Sequence, residues 1–269
     1  MIGCNKVVLR EYHIESDKIP QAFDGYKIAM ISDLHDNQIG DKIKKLIKKE
    51  KPDIILCAGD MIVSNVKYMN RQYIAENIML DLAKEYEIIY ANGNHETKVK
   101  ERTYKFGNYY NEYVSKLQNA GIKFVNNKKY VITKNNQKMI ITGYESSLNY
   151  YKKAIKQELL QSDLENVLGK ADRGFFNILI AHNPIYFETY AKSGYDLVLS
   201  GHVHGGIVRL PIVGGVCSPQ VKFFPKYDRG LFEIDKSKMI LGAGLGTHTI
   251  PLRFNNPPEI VIAKLKKLG

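Results

Sequence analysis

Cysteine is scarce in this 269-residue sequence, and the cysteines present form no recognisable pattern. Cys4, Cys57 and Cys217 cannot all pair within the chain, and no CxxC motif occurs. Cys57 lies in an apolar run that we expect to be a buried strand. Unpaired cysteines of this kind are typical of a reducing compartment, so we expect reduced thiols and a cytoplasmic protein.

Long apolar runs are also missing. The first residues lack the apolar core of a signal peptide, and no stretch approaches the roughly 20 apolar residues that a spanning helix needs. The sequence therefore predicts no transmembrane segment and a cytoplasmic location. Peripheral contact with the inner membrane surface stays open, because a basic surface is compatible with lipid headgroups.

Internal repeats, low-complexity runs and long linkers are absent as well, which argues against repeat proteins and loosely joined domains. Hydrophobic residues make up 44% of the chain and charged residues 25%, a globular composition. A chain of this length can bury one large core. We expect a single domain over residues 1–269, with a motif-bearing core at about 27–265.

Positive charge is in excess. There are 39 Lys and Arg against 28 Asp and Glu, which gives a net charge of +11. This excess favours anionic partners, such as nucleic acid, phospholipid headgroups or phosphorylated metabolites, without choosing among them. Many of the lysines, especially those between positions 42 and 51, are spaced as the solvated face of a helix rather than as a binding patch.

Five polar motifs each follow an apolar run that we expect to be a buried strand. The strand–helix–strand order of the first half predicts parallel crossovers, and ligands bind beyond the carboxyl ends of such strands. Five of the seven histidines lie in these motifs, so chance placement is a poor explanation. The motifs are Asp33-Leu-His35, Gly59-Asp60, Gly93-Asn94-His95-Glu96, His182-Asn-Pro184 and Gly201-His202-Val-His204.

The spacing within two of the motifs predicts a metal site. Side chains on a strand alternate between faces, so His202 and His204 should share one face, as should Asp33 and His35. Imidazoles are common metal ligands, and the flanking glycines would let the backbone approach an ion closely.

Together the five motifs resemble the pattern of the calcineurin-like metallophosphoesterase superfamily, which reads DxH, GD, GNHE, a single His and GHxH. All five occur here in the family's order, and the resemblance covers about residues 27–265. The run from Gly201 to Gly206 and the run from Arg253 to Glu259 are most similar to the bacterial YkuE/YaeI-like phosphodiesterase branch.

The resemblance implies an α/β fold of four layers, an αββα sandwich in which two mixed β-sheets pack face to face and helices flank them. Composition and periodicity by themselves predict only an α/β protein with a parallel core.

The resemblance also implies a centre of two divalent metal ions. Asp60 would bridge them, because a shared anionic ligand lets two cations lie about 3.5–4 Å apart. The mixed nitrogen and oxygen ligands favour manganese, with iron or zinc as alternatives. By the resemblance, the first metal is held by Asp33, His35 and His204, and the second by Asn94, His182 and His202.

The implied reaction is attack on phosphorus by a hydroxide that bridges the two metals. His95, which comes directly after a ligand, would stabilise charge or protonate the leaving oxygen. The alternative for His95 is a supporting role that orients a ligand. Asp36 and Glu96 are weaker candidates for hydrogen bonds to the imidazoles.

Features missing around the GD motif favour phosphodiesters. Val63 stands where purple acid phosphatases have a metal-binding tyrosine, and residues 61–65 lack the arginine with which protein phosphatases grip a phosphate. A diester carries one negative charge fewer than a monoester dianion and needs less of a cationic clamp. Arg209, Arg229 or Arg253 could still supply such a clamp from another loop.

Substrate contacts are expected from His248, which lies in a turn-rich loop, and from Arg253. The pairs Tyr109-Tyr110 and Tyr150-Tyr151 could stack on a base or an acyl chain, although packing is the simpler role. The expected substrate is a phosphoester, and a lipid-linked or cell-envelope phosphodiester is among the candidates.

Three other functions stay open. A phosphomonoesterase or a nuclease of the same superfamily would use the same centre. Nucleic acid is a less favoured partner, because the lysines are dispersed and no extra DNA-handling segment is present. The third is a non-catalytic scaffold of this fold; such members usually lose a ligand or the GNHE histidine, and this chain has both.

Overall fold

The computed structural model describes residues 6–71, 73–152, 157–206, 209–210, 214–215, 225–247 and 253–269. These segments form two six-stranded sheets, a two-stranded ribbon and helices. The strands are β1 (Val8–Ser16), β2 (Lys27–Ile31), β3 (Ile54–Cys57), β4 (Ile88–Tyr90), β5 (Lys123–Phe124), β6 (Lys128–Lys134), β7 (Gln137–Tyr144), β8 (Phe176–Ala181), β9 (Leu197–Ser200), β10 (Arg209–Leu210), β11 (Gly214–Gly215), β12 (Gly230–Ile234), β13 (Ser237–Leu241) and β14 (Glu259–Lys267). The helices are α1 (Gly40–Glu50), α2 (Tyr73–Ala83), α3 (Asn94–Glu101), α4 (Thr103–Phe106), α5 (Tyr109–Asn119), α6 (Gln161–Leu168) and α7 (Phe187–Lys192).

Both large sheets are mixed. The first has the order β1, β14, β2, β3, β4, β5, with parallel neighbours from β2 to β5 and β14 antiparallel to β2. The second has the order β12, β13, β9, β8, β7, β6, with parallel pairing from β13 to β7 and antiparallel outer pairs. The carboxyl ends of the central parallel strands carry the motifs.

The continuous apolar runs are explained by burial on both faces of each sheet. In β2, Ile28 and Met30 pack into the core between the two sheets, whereas Ala29 and Ile31 pack against the helices on the outer side. Complete burial of one such isoleucine contributes about 1.5–3 kcal/mol. The inner core is filled from both sheets, which keeps their faces together.

Helices cover both outer faces. On the first sheet, α1 and α2 bury Ile43, Ile47 and Ile78. On the second sheet, α6 and α7 bury Leu164 and Phe187. The order of layers is therefore helix, sheet, sheet, helix, and the expected four-layer αββα fold is confirmed.

Local structure differs from the sequence-based expectations in three places. The polar, helix-like pattern of residues 150–168 predicts a helix that could form a flap. The structure has a 3-10 turn (Leu148–Tyr151) followed by α6, whose Leu168 is buried, and residues 153–156 lie outside the described part. The pattern of residues 104–120 predicts one helix, which the structure divides at Gly107, whose φ of 59° ends α4. Helix α3, which begins within the GNHE motif, was not expected, because its sequence has a weak apolar stripe.

Within the described segments, no helix combines the length and the apolar character needed to cross a membrane. Cys57 is a buried free thiol in β3, as expected. Cys4 and Cys217 lie outside the described residues.

Candidate metal centre

The polar motifs converge at the edge where the carboxyl ends of both sheets meet. Loops after β2, β3 and β4 come from the first sheet, and loops after β8 and β9 come from the second. Three overlapping groups of buried side chains have potential ligand atoms within 4.8 Å of one another. The groups are Asp33 with His35 and His204, Asp60 with His182 and His202, and His35 with Asp60 and His95.

The backbone that presents these side chains is unusual. Asp33, His35, Asp60, His202 and His204 all have positive φ, between 48° and 74°. This region is sparsely populated by residues other than glycine, and each such residue costs about 1–3 kcal/mol unless the surroundings hold it. Held strain of this kind is typical of functional sites.

The expectation that His202 and His204, and likewise Asp33 and His35, share one face of a strand is wrong, because these residues have positive φ and do not lie in strands. β2 ends at Ile31 and β9 ends at Ser200, so both motifs lie in loops after the strands. His202 and His204 consequently belong to different groups, one beside His182 and the other beside His35. The resemblance had implied this division.

The first group is compact. Nε2 of His35 lies 3.0 Å from Nε2 of His204, and their rings stack with centroids 4.9 Å apart. The Asp33 carboxylate lies 3.5 Å from Nε2 of His204 and accepts the backbone N–H of His202 at 2.9 Å. Burial, with some repulsion from Asp60, raises the pKa of Asp33 to about 6. A cation at this position would offset that cost.

The second group is oriented through the protein backbone. Nδ1 of His182 lies 2.6 Å from the carbonyl oxygen of Ala58, to which it donates, so Nε2 faces Asp60 at 3.0 Å. Burial lowers the pKa of His182, but the Asp60 and Asp33 carboxylates outweigh it and raise the pKa to about 10. The two carboxylates therefore favour the protonated form of the His182 imidazole.

The donor set fits divalent metal ions. The buried Oδ1 of Asn94 accepts no hydrogen bond from any residue that the structure describes, which is expected of an oxygen reserved for a ligand. Imidazole nitrogens with carboxylate and amide oxygens suit manganese, iron or zinc better than calcium. Asp60 and His35 each lie in two of the three groups, and of the two only Asp60 has the two anionic oxygens that a ligand shared by two ions would need.

Two motif glycines make room for the carboxylates. A Cβ at Gly201 would collide with Oδ2 of Asp33, and a Cβ at Gly93 would collide with Oδ1 of Asp60. These glycines are therefore required by close packing against the acidic side chains, in addition to any freedom of the backbone.

The loop that carries Asp60 is held by its backbone amides. Five consecutive N–H groups each donate to a side chain from a neighbouring motif. Those of Asp60, Met61 and Ile62 reach the Glu96 carboxylate at 2.8, 2.8 and 3.3 Å, that of Val63 reaches Oδ2 of Asp36 at 3.1 Å, and that of Ser64 reaches Nδ1 of His95 at 2.8 Å.

Asp36 and Glu96 thus accept hydrogen bonds from backbone N–H groups, whereas the sequence had suggested hydrogen bonds to the histidine side chains. Glu96 also accepts hydrogen bonds from the N–H of Gly93 at 3.0 Å and from the Tyr90 hydroxyl at 2.8 Å. Burial, and then repulsion from Asp60, raises the pKa of Glu96 to about 7. A pattern of side chains could not reveal this role, because the donors are main-chain groups.

His95 is fixed at both ends. Its backbone N–H donates to Oδ1 of Asp60 at 2.7 Å. Its Nδ1 accepts the N–H of Ser64, so a neutral ring carries its proton on Nε2, which lies 4.0 Å from Oδ2 of Asp60. The proton of His95 therefore faces the cluster.

Tyr151 flanks the second group. Its ring centroid lies 4.9 Å from that of His202 and 6.2 Å from that of His182, and its hydroxyl accepts a hydrogen bond from Ser146 at 3.1 Å. Tyr110 has a packing role, because its hydroxyl accepts a hydrogen bond from Asn92 at 2.7 Å.

The two expected substrate contacts have different outcomes. The buried guanidinium of Arg253 donates to the carbonyl oxygens of Ala243, at 2.8 Å, and of Gly246, and lies 3.4 Å from Nδ1 of His204. It supports the loop behind His204, and a contact with substrate stays a prediction. His248 lies outside the described residues.

Comparison with known proteins gives consistent results. The model of the family described as "Calcineurin-like phosphoesterase" matches residues 26–206. The uncharacterized metallophosphoesterase YkuE of Bacillus subtilis (strain 168) is 27% identical over 263 residues, which cover 95% of this chain and 84% of YkuE. Phosphodiesterase YaeI of Escherichia coli (strain K12) is 26% identical over 247 residues, 89% of this chain and 82% of YaeI.

Among solved structures, the NAD nucleotidase NadN of Haemophilus influenzae has a similar fold. Its TM-score is 0.50 at 17% sequence identity, over 81% of this chain. The match spans 45% of NadN, somewhat less than half of that protein.

Proposed function

The chain belongs to the calcineurin-like phosphoesterase family, and we propose that it is a phosphodiesterase that works with two divalent metal ions. The observation that carries the proposal is the convergence of seven ligand-type side chains, six of them in groups with ligand atoms within 4.8 Å, at one edge of the sandwich. The proposed ligands are Asp33, His35 and His204 for the first ion, Asn94, His182 and His202 for the second, and Asp60 for both.

When bound, two divalent ions would lower the pKa of a water molecule and offset the negative charge of the phosphate. The residues of this chain set the geometry in which that happens. Asp60 is held by five backbone hydrogen bonds in its own loop, so its carboxylate is positioned before any ion arrives. Manganese is the metal that we propose, with iron or zinc as alternatives.

His95 is the proposed general acid. Because Ser64 occupies Nδ1, the proton lies on Nε2 and is directed at the cluster, where the leaving oxygen of a bound phosphodiester would be. The hydrogen bond between the His95 backbone and Asp60 fixes the distance between acid and proposed metal ligand.

The positions of the arginines support a diester rather than a monoester dianion. Arg209 donates to Asp228 at 2.7 Å, Arg229 lies 3.9 Å from Glu259, and Arg253 is bound to backbone carbonyls. Arg209 and Arg253 are therefore engaged in hydrogen bonds elsewhere, and Arg229 lies beside the Glu259 carboxylate. The name of the relative YaeI, a phosphodiesterase, agrees.

We propose a lipid-linked or cell-envelope phosphodiester as the physiological substrate. The protein would bind it at the cytoplasmic face of the inner membrane. The net charge of +11 supports contact with anionic headgroups.

The test compares hydrolysis of bis(p-nitrophenyl) phosphate and p-nitrophenyl phosphate by manganese-loaded protein. We expect a higher kcat/KM for the diester, and a loss of about 10²–10⁴-fold in kcat for His95→Ala. The matched control is His13→Ala, because His13 is an exposed histidine on β1. A preference for the monoester, or full activity of His95→Ala, would contradict the proposal.

A further inference from the structure

A cavity of about 420 Å³ lies beside the proposed metal cluster and is lined by none of its ligands. Thr97, Lys100 and Glu101 of α3 form one wall. Helix α3 begins at Asn94 and rises about 1.5 Å per residue, so these residues lie roughly 5–10 Å along the axis from that ligand. This is the distance reached by a substituent of a phosphate bound at the cluster, and the volume suits a small molecule.

The turn Leu148–Tyr151 stands between the cavity and the cluster. Tyr151 packs against His202 on the cluster side, and Tyr150 lines the cavity. Ser146 also lines the cavity and donates its hydroxyl hydrogen to Tyr151. A molecule that spans both places would pass along this turn.

The cavity is acidic, although the chain as a whole is basic. Its lining has one lysine against three carboxylates, a net charge of −2, whereas the whole chain carries +11. Nζ of Lys100 is bound to Oε2 of Glu145 at 2.8 Å, so these two charges balance. The excess negative charge comes from Glu101 and Asp163.

Two tyrosine rings share the cavity with Asp163. The ring of Tyr150 is held edge-on by Tyr186 at 5.3 Å, and that of Tyr144 by Tyr190 at 6.2 Å. Because neighbours already hold the rings, a ligand need not order them. A carboxylate and an accessible tyrosine ring that line one cavity can together recognise an alkylammonium group.

We propose that this cavity binds the alcohol part of a phosphodiester substrate and selects an alcohol that carries an ammonium group. The inference rests on the proposed phosphodiesterase function and specifies its substrate class. Asp163 supplies the opposite charge, and the partly exposed ring of Tyr150, backed by the buried Tyr144, supplies the aromatic surface.

The kinetic test uses two chromogenic diesters that differ in one charge. They are p-nitrophenyl phosphorylcholine and p-nitrophenyl 3,3-dimethylbutyl phosphate, the uncharged carbon analogue. We expect wild type to prefer the choline ester by about tenfold in kcat/KM, and Asp163→Asn to lose the preference while it keeps its rate on the neutral ester. The control is Glu112→Gln, which also removes one negative charge but from an exposed side chain on α5; this variant should keep the preference.

A second measurement does not depend on turnover. Choline chloride should raise the Tm of the protein, and 3,3-dimethylbutanol at the same concentration should not, with the effect lost in Asp163→Asn and kept in Glu112→Gln. Equal kcat/KM for the two esters together with no effect of choline on Tm would overturn the inference.

The two proposals can fail separately. Hydrolysis of bis(p-nitrophenyl) phosphate without any response to choline would overturn the ammonium cavity and leave the phosphodiesterase function in place. A choline response that depends on Asp163, without hydrolysis of any diester, would support the cavity and overturn the function.

Discussion

At the scale of single residues, the loop after β3 depends on acceptors supplied by other motifs. Glu96 accepts from the backbone N–H groups of Asp60, Met61, Ile62 and Gly93 and from the Tyr90 hydroxyl. All of these partners are donors, so above its pKa of about 7 the ionised Glu96 offers an acceptor to each of them at both carboxylate oxygens. A buried donor left without its acceptor costs about 1–3 kcal/mol.

Glu96→Gln should therefore be destabilising even though it keeps the size of the side chain. One oxygen becomes an NH₂ group that faces N–H donors, so we expect a loss of about 3 kcal/mol in the free energy of unfolding. Urea denaturation measures it. Glu101→Gln on the same helix, where the side chain is exposed, should change stability by less than about 0.5 kcal/mol, and equal stabilities for the two variants would contradict this account.

Asp36 offers a test through pH. Burial raises its pKa to about 7, above the value of about 3.9 in an unfolded chain. Between these values the unfolded state is ionised while the native state still holds its proton, so Asp36 contributes a stability that falls as the pH rises from about 4 to 7. An asparagine at this position cannot ionise and lacks this dependence.

The Tm of Asp36→Asn minus that of wild type, both without metal, should consequently be larger at pH 8 than at pH 5. Differential scanning calorimetry at the two pH values gives this difference, and the same comparison for Asp41→Asn, whose side chain is exposed on α1, is the control. A difference that is equal at both pH values would show that Asp36 is already ionised at pH 5.

At the scale of elements, the site is made by the turns that come directly after the strands. The strands β2, β3 and β9 end before the motif, and the next residues turn into positive φ to direct their side chains at the cluster. Gly201 allows the turn after β9 to pass against the Asp33 carboxylate.

Gly201→Ala should displace Asp33 and weaken metal binding. The added Cβ would collide with the carboxylate, so we expect at least a tenfold loss of manganese affinity in isothermal titration calorimetry. Gly174→Ala, in an exposed loop before β8, should leave the affinity unchanged. Similar affinities for the two variants would show that the turn can shift without moving Asp33.

The sequence predicted the elements that have a strong apolar pattern, and it missed those that depend on the backbone. Apolar runs located β2, β3, β8 and β9, because burial on both faces demands them. Helix α3 was missed because its sequence has a weak apolar stripe. The amide network around Asp60 was missed because main-chain donors leave no trace in residue type. The helix predicted at 150–168 is present only in part, as α6, which Leu164 and Leu168 dock on the second sheet.

At the scale of the whole molecule, the four-layer sandwich brings the two halves of the cluster together. Asp33 and Asp60 come from the first sheet, and His182, His202 and His204 come from the second. Packing of the inner core therefore fixes the distance between the two sets of proposed ligands. Apart from Asp33 and His35, the side chains within each potential metal-binding group come from different motifs. Motifs that are far apart in the sequence therefore form one site only in the folded protein.

The central claim is that two divalent ions, bridged by Asp60, are required for hydrolysis. The most direct measurement is the number of manganese ions bound per chain, by mass spectrometry of the metal content, in parallel with turnover of bis(p-nitrophenyl) phosphate. We predict two ions in the active wild type, and fewer than two with a loss of turnover in Asp60→Asn. Full turnover with one ion or none, or an Asp60→Asn variant that keeps both ions and its activity, would contradict the account.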